Sequence, residues 1–281
     1  MKDYLNISGT REEHTWYMNS YRDLPLDGSF GKYPVIIYVH GTGSLKYAHH
    51  VLATHWASRG FVVISCDNPK MYITDVLASA ANILLQDQSG DTKKIISAVK
   101  SATGTLAFLS GKVDTARFGL AGHSAGGAAV AGITGTSGVQ VIIPMASAAK
   151  VSTSLYVKAA MLMGGINDNT NKWTYEQSAY TNTRTSNKRL VGIPKAGHNV
   201  FTNICDSVAK AEQYGFELGS METVAHDGCG SSYIDQKLGW EITNYGSTAV
   251  FEETLQCNTT SAGSISKIDD LYGVTYKTTT K

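Results

Sequence analysis

Short apolar runs that alternate with longer helical patterns constrain the fold of this chain more than any other feature. Several runs are apolar at consecutive positions, which is typical of strands that are covered on both faces. The strand candidates are residues 34–40, 61–66, 117–120, 139–143, 159–163 and 189–193. The helix candidates between them are residues 46–58, 91–109 and a shorter stretch at 174–180. This alternation predicts an α/β fold with a doubly wound, mostly parallel sheet and helices on both faces.

The length of the chain, 281 residues, suits a single α/β domain over residues 1–281. We expect its core to span about residues 14–205, with an antiparallel edge strand at 15–21 before the first apolar run. Residues 206–260 indicate a helical elaboration beside the active face. The last segment, 261–281, is rich in Thr and Lys. The sequence leaves open whether this segment forms a late strand or a mobile end.

The charges are balanced, with 24 Lys and Arg against 23 Asp and Glu. A net charge of +1 gives no electrostatic reason to expect nucleic acid or an anionic membrane surface as a partner. No apolar run approaches the length of about 18 residues that a spanning helix needs. The first residues lack the apolar region of an intact signal peptide. A cytoplasmic protein and one whose leader has been removed are therefore both possible interpretations.

The cysteines bear on the compartment and on metal binding. Cys66 ends an apolar run and is expected to be a buried free thiol, whereas Cys205, Cys229 and Cys257 lie in the C-terminal third. A disulfide among these three would indicate an oxidising compartment, and three reduced thiols are the alternative. We expect a secreted or periplasmic monomer, with a cytoplasmic location as the alternative. No cysteine has a spacing suited to zinc, so no metal is expected.

One serine stands where the chain passes from a strand to a helix of small residues. This is Ser124, in the stretch FGLAGHSAGGAAV at residues 118–130. The glycines of the G-x-S-x-G pattern permit a tight turn that exposes a nucleophile at the carboxyl edge of the sheet. The N-terminus of the following helix can stabilise an anion there. The alternative interpretation is an ordinary hydroxyl in a small-residue packing segment.

A nucleophilic serine needs a base and a group that orients the base, and in strand–turn–helix hydrolases the order is Ser, acid, His. After Ser124 the chain contains only two histidines, His198 and His226. Two acids, Asp168 and Glu176, lie between Ser124 and His198. Asp168 and His198 each follow a predicted strand, whereas the pattern around Glu176 favours a helical surface. The order and the placement select a triad of Ser124, Asp168 and His198.

Hydrolysis through a serine also needs two N–H donors for the oxyanion. The first is expected from Ala125, the residue after the nucleophile, and the second from the loop after an earlier strand. That loop is VHGTGS at residues 39–44. Thr42 is the predicted second donor, with Gly41 and Gly43 as alternatives. No cofactor is predicted, because the sequence has no H-E-x-x-H, no P-loop and no dinucleotide fingerprint in the right context.

Several motifs resemble those of a known superfamily. The stretches HGTGS, SRGFVVISCDNP, GHSAGG, GGINDN and KAGHNVFTNIC resemble the α/β-hydrolase superfamily. They are most similar to a branch containing cutinase-like polyester (PET) hydrolases, chlorophyllase- and dienelactone-hydrolase-like esterases, and acetylhydrolases of the platelet-activating-factor type. The resemblance runs from about residue 33 to 205, with a looser match at AHDGC. It implies an α/β-hydrolase fold and a serine esterase.

The resemblance implies the same triad and the same oxyanion donors. It also implies a disulfide between Cys205 and Cys229. Thr42 stands where polyester hydrolases often carry an aromatic residue, so an aromatic clamp is not implied. Dienelactone hydrolases proper use a cysteine nucleophile, and a serine at position 124 does not imply that activity. The residues expected to contact the substrate are Gly43, His123, Met145 and Trp173.

Together these features predict a carboxylic ester hydrolase that works through an acyl-enzyme. An aromatic ester or a polyester is the preferred substrate, and a short acyl ester or an acetyl group is the alternative. A hypothesis of another class is a catalytically silent hydrolase fold that is used for binding. A complete triad argues against that hypothesis.

Overall fold

A single seven-stranded sheet organises the protein in a computed structural model, which describes residues 20–21 and 23–279. The spatial order of its strands is β2-β1-β3-β4-β5-β6-β7. Strands β1 to β6 run parallel, and β7 pairs antiparallel with β6. The strands are β1 Tyr33–Val39, β2 Val62–Ser65, β3 Val113–His123, β4 Val139–Met145, β5 Ala159–Gly165, β6 Asn187–Ile193 and β7 Thr275–Thr279. The predicted α/β class with a mostly parallel sheet is confirmed.

Helices separate the parallel strands except β4 and β5, and further helices follow β6. The first five are α1 His50–Ser58, α2 Ile73–Ala78, α3 Gln88–Ser101, α4 Ala125–Ala131 and α5 Trp173–Asn182. The later ones are α6 Ile204–Gln213, α7 Glu222–His226, α8 Gln236–Leu255, α9 Thr259–Ile265 and α10 Ile268–Tyr272. Short 3₁₀ segments occur at Ala80–Leu85, Gly104–Leu109, His198–Phe201 and Gly219–Met221.

Two predicted helices are shorter than their sequence patterns suggest. The helix expected from residue 46 begins at His50, because the backbone N–H and the ammonium of Lys46 are both held by Asp67. The single helix expected at 91–109 ends after Ser101, where Ala102 adopts a left-handed conformation with φ 45°. A left-handed residue cannot continue a right-handed helix. The chain resumes as the 3₁₀ segment Gly104–Leu109.

Both faces of the sheet are covered, which explains the uninterrupted apolar runs. In β1, Val35, Ile37 and Val39 pack into one core layer, against α3 and α4. Ile36 and Tyr38 point to the opposite face and pack into the layer formed with α1 and α8. Because successive strand residues face opposite sides, a strand covered on both faces does not alternate apolar and polar residues.

The sequence predicts a helical elaboration at residues 206–260, and the longest helix of this segment is α8. It packs across β3, β4, β5 and β6 and against α1, and so supplies one layer of the fold. A Cβ at Gly119 of β3 would lie 2.5 Å from the ring of Phe251, which shows how closely α8 approaches the sheet. This buried helix is hard to predict from the sequence because some of its buried residues are polar. Ser247, for example, is buried and accepts a hydrogen bond from Trp56 Nε1 at 2.9 Å.

The segment from 261 onward forms part of α9, then α10, and finally β7. Of the two alternatives for this segment, a late strand or a mobile end, the structure shows the late strand. The edge strand predicted at 15–21 lies outside the described residues except for Ser20 and Tyr21, which are not in a strand. No helix of the described part combines the length and the apolar character needed to cross a membrane.

Replacing Phe251 by Ala should test the contribution of α8 to the fold. Phe251 is fully buried, with its ring 5.5 Å from that of Trp56 and 6.1 Å from that of Phe61. A buried Phe→Ala change costs about 3–5 kcal/mol through lost burial and the cavity left behind. The free energy of unfolding in urea should fall by that amount. Phe108→Ala is the control, since Phe108 is 59% exposed and should change stability by less than about 0.5 kcal/mol.

Candidate active site

Ser124 occupies a strained turn between β3 and α4. Its backbone has φ 54° and ψ −121°, outside the regions that non-glycine residues favour. The turn is held by a 2.8 Å hydrogen bond from Ser124 N–H to the Met145 carbonyl at the end of β4. Gly122 and Gly126 flank it, and a Cβ on Gly122 would collide with the Gly126 carbonyl. Strain of this kind concentrates at functional sites, and the half-buried Ser124 sits at the carboxyl edge of the sheet.

Asp168 and His198 lie together at the same edge. Asp168 follows β5 and His198 follows β6, and both are buried. His198 Nδ1 lies 2.9 Å from Asp168 Oδ2. The other carboxylate oxygen accepts hydrogen bonds from the backbone N–H groups of Thr170, at 2.9 Å, and Asn171, at 2.6 Å. A carboxylate held in this way keeps the proton of His198 on Nδ1 and leaves Nε2 available as a base.

His123 joins the serine turn to the histidine loop. It directly precedes Ser124, and its Nε2 donates a hydrogen bond to the His198 carbonyl at 2.9 Å. The rings of His123 and His198 have centroids 4.7 Å apart. Burial lowers the pKa of His123 to about 3, so its ring is neutral at physiological pH. His123 was expected to contact substrate, but it is only 5% exposed and packs beneath His198.

The loop after β1 lies beside the serine. A Cβ on Gly41 would stand 3.0 Å from Ser124 Cβ, so glycine permits this approach. The His40 ring fixes the loop, because its Nε2 accepts from Asn68 N–H at 2.9 Å and its Nδ1 donates to the Gly41 carbonyl at 2.8 Å. Gly43 N–H donates to the Met71 carbonyl at 2.9 Å. Gly43 is therefore occupied and does not serve as the alternative oxyanion donor.

The structure places two of the residues expected to contact the substrate differently. Met145 is fully buried in the core, so its side chain has no surface to offer to a substrate, whereas its carbonyl holds the serine turn. Trp173 packs its ring against Gly164 and Gly192, where a Cβ at Gly192 would lie 2.5 Å from the indole. Trp173 also lines an open depression beside Asp168, together with Ile166, Asn167, Asn169, Ser232 and Tyr233.

Glu176, which the sequence pattern places on a helical surface, is fully buried. One carboxyl oxygen accepts from the backbone N–H groups of Ser147 and Ala148, at 2.5 and 3.0 Å, and from Asn171 Nδ2 at 2.9 Å. Desolvation raises the pKa of Glu176 to about 7 against the effect of these donors, and the nearby Asp168 adds to the rise. Glu176 thus connects the loop after β4 with the loop that carries Asp168.

A second acid that sequence reasoning missed is Asp227. It is buried and accepts hydrogen bonds from backbone N–H groups next to Asp168 and from that of His198 itself. The only sequence signal is its place in AHDGC, just before a cysteine. That cysteine, Cys229, forms the expected disulfide with Cys205, which is confirmed. Cys66 is free, as expected, but half-buried rather than buried.

Within the described residues, one group of side chains offers metal-ligand atoms close together. Glu212, Glu222 and His226 bring one ligand atom each within 4.8 Å of one another. They are also paired among themselves: His226 Nδ1 bonds to the Glu222 carbonyl at 2.9 Å, and Nε2 lies 2.6 Å from a Glu212 carboxylate oxygen. The backbone hydrogen bond to Glu222 and the Glu212 carboxylate raise the pKa of His226. The cluster is explained by these ion pairs.

Glu176→Gln should change how stability depends on pH. Because burial raises the pKa of Glu176 from 4.5 to about 7, its protonated form stabilises the folded state below pH 4.5, and this is lost as pH rises through 7. At about 1.4 kcal/mol per pKa unit, the loss amounts to about 3 kcal/mol. Glutamine does not titrate, so the wild-type free energy of unfolding should fall relative to that of the variant between pH 4 and 8. Parallel pH curves for the two proteins would contradict this assignment.

Comparison with known proteins identifies the family and the fold. The PETase family, described as PET hydrolase-like, matches residues 21–214, more than half of the chain. A solved ferulic acid esterase from Streptomyces cinnamoneus is 17% identical and has a TM-score of 0.60, covering 81% of this chain and 68% of that one. That likeness shows an α/β-hydrolase fold. No curated protein matches the sequence significantly. The chain is an ester hydrolase and belongs to the PET hydrolase-like family.

Proposed function

We propose that the protein hydrolyses carboxylic esters through an acyl-enzyme on Ser124, with His198 as base and Asp168 as the orienting acid. The observation that carries this proposal is the 2.9 Å contact of His198 Nδ1 with Asp168 Oδ2, at the sheet edge where Ser124 stands in its strained turn. Nδ1 is the nitrogen that an orienting carboxylate holds in a serine triad. Membership of an ester hydrolase family supports the same reaction.

In the reaction, His198 Nε2 takes the proton of Ser124 as its oxygen attacks the ester carbonyl. Asp168 stabilises the imidazolium that forms. The alcohol leaves with the proton from His198, and a water activated by the same base then releases the acid and frees the serine. His198 is only 2% exposed, so its cation is poorly solvated and depends on the Asp168 carboxylate.

Two backbone donors are proposed for the oxyanion. Ala125 is the first residue of α4, where the N–H has no partner inside the helix. Thr42 lies between Gly41, which contacts Ser124, and Gly43, whose N–H is already used. Among the hydrogen bonds of the described residues, none uses the Thr42 N–H. A preorganised donor at such a position contributes about 3–4 kcal/mol to transition-state stabilisation.

An aromatic ester or a polyester is the proposed substrate. The depression beside Asp168 is open and carries two aromatic side chains, Trp173 and Tyr233. The family is PET hydrolase-like, and the structural neighbour is a ferulic acid esterase. A short acyl ester or an acetyl group is the alternative. The Cys205–Cys229 disulfide supports secretion or a periplasmic location, and we propose a monomer.

Ser124→Ala should abolish turnover of a p-nitrophenyl ester and labelling by a fluorophosphonate, because both need the nucleophile. The loss should reach at least about 10⁴-fold in kcat. Ser110→Ala is the matched control, since Ser110 is exposed and lies in a loop before β3. Turnover that survives Ser124→Ala would overturn the triad. Folded wild-type protein that neither reacts with the probe nor hydrolyses esters would instead support a silent binding fold.

Product release from a polyester film, compared with hydrolysis of p-nitrophenyl esters of increasing acyl length, should separate the two substrate classes. We expect soluble aromatic products from the film and from a feruloyl ester, because the family is PET hydrolase-like and the structural neighbour is a ferulic acid esterase. Ser124→Ala serves as the blank for both assays. Fast hydrolysis of acetyl and butyryl esters with no release from the film would favour the short-chain alternative.

A further inference from the structure

The carboxylate of Asp227 lies between the two loops that carry Asp168 and His198. Its Oδ2 accepts from the backbone N–H groups of Asn169, at 2.9 Å, and Thr170, at 2.8 Å, and from Thr170 Oγ1 at 2.7 Å. These two residues directly follow Asp168. Its Oδ1 accepts from the backbone N–H of His198 at 3.3 Å. Each oxygen of one buried carboxylate therefore holds one of the two loops.

The backbone around Asp227 is bound to the histidine loop as well. The Asp227 carbonyl accepts from Asn199 N–H at 2.8 Å, and Asn199 Nδ2 donates to the Val224 carbonyl at 2.7 Å. A Cβ on Gly197 would lie 2.6 Å from Asp227 Oδ1, so only glycine at that position allows the carboxylate to come this close. The segment before Cys229 is thus packed directly on the residues that flank His198.

The disulfide restrains this segment from its other end. Cys229 stands two residues after Asp227 and is bonded to Cys205 in α6, 24 residues earlier in the chain. The bond keeps the Asp227 segment near the loop from His198 to α6. Asp227 is only 5% exposed, so water does not compete for its oxygens.

We propose that Asp227 is a positioning residue for ester hydrolysis. By binding both loops, it fixes the position of the Asp168 side chain relative to that of His198. The two loops leave different strands, β5 and β6, and the hydrogen bond between His198 and Asp168 requires both to be in place. A misplacement of about 1 Å in such a pair can cost about 10²-fold in rate. The inference rests on the proposed roles of Ser124, Asp168 and His198.

Asp227→Asn tests the proposal against the matched control Asp235→Asn. The asparagine keeps one acceptor oxygen and turns an NH₂ toward the N–H donors of one loop, which should lower kcat by about 10²-fold and change KM by less than about threefold. Asp235 also accepts two backbone N–H bonds, from Lys237 at 3.0 Å and Leu238 at 3.2 Å, but it caps α8. Asparagine caps a helix about as well as aspartate, so Asp235→Asn should leave the melting temperature nearly unchanged and kcat within about twofold.

Thr170→Val provides a milder variant that should fold. It is nearly isosteric and removes only the hydroxyl bond to Asp227 Oδ2, so kcat and the rate of fluorophosphonate labelling should fall by about 3- to 10-fold. The downfield proton resonance of the His198–Asp168 hydrogen bond should shift or broaden in both variants. A purely structural role would lower stability without moving this resonance.

The outcomes separate this inference from the proposed function. Labelling of the wild type at Ser124, with slower labelling of Asp227→Asn and Thr170→Val, supports the positioning role. Unchanged kcat and labelling in both variants, even with lower melting temperatures, overturns that role while leaving the triad intact. A wild type that does not react at Ser124 overturns the proposed function, and the positioning role with it.

Discussion

Close backbone packing around Ser124 is the constraint on which the remaining structure depends. β1, β3 and α4 approach so closely that Gly122 and Gly126 have no space for a Cβ, and Gly41 has little. This contact aligns the loop after β1 with the serine turn and places an unpaired helix N-terminus beside it. The strained conformation of Ser124 persists because the sheet on one side and α4 on the other hold it. The buried apolar clusters on both faces of the sheet give that rigidity.

Much of the sheet could be predicted from the sequence, because strands covered on both faces are contiguous apolar runs. The prediction fell short where burial involves polar residues. Helix α8 buries Thr243 and Ser247, whose hydroxyls bond to carbonyls one turn earlier in the same helix. It also buries Glu252, which is paired with Arg59 and with a serine of α9. A helix with such residues lacks the apolar stripe that identifies a core helix.

In the site, too, some residues could be predicted from the sequence and others could not. Ser124, Asp168 and His198 could be selected because chain order and strand position limit the candidates, and the structure brings Asp168 and His198 into contact. The supporting acids Glu176 and Asp227 could not be selected. Their partners are mostly backbone N–H groups of distant loops. Almost every residue type has a backbone N–H, so the sequence does not show which residues donate. Burial of the Met145 side chain could not be predicted either, because the sequence pattern at the end of a strand does not show whether the last side chain faces solvent or the core.

The position of α8 in the chain has a consequence for biosynthesis. One face of the sheet is formed by β1 to β6, all complete by Ile193, but the helix that covers it ends only at Leu255. Until then α1 covers only part of the apolar side chains of that face on a nascent chain. A chain that stops before α8 is complete therefore leaves part of the apolar face of its sheet exposed, and such a surface favours aggregation.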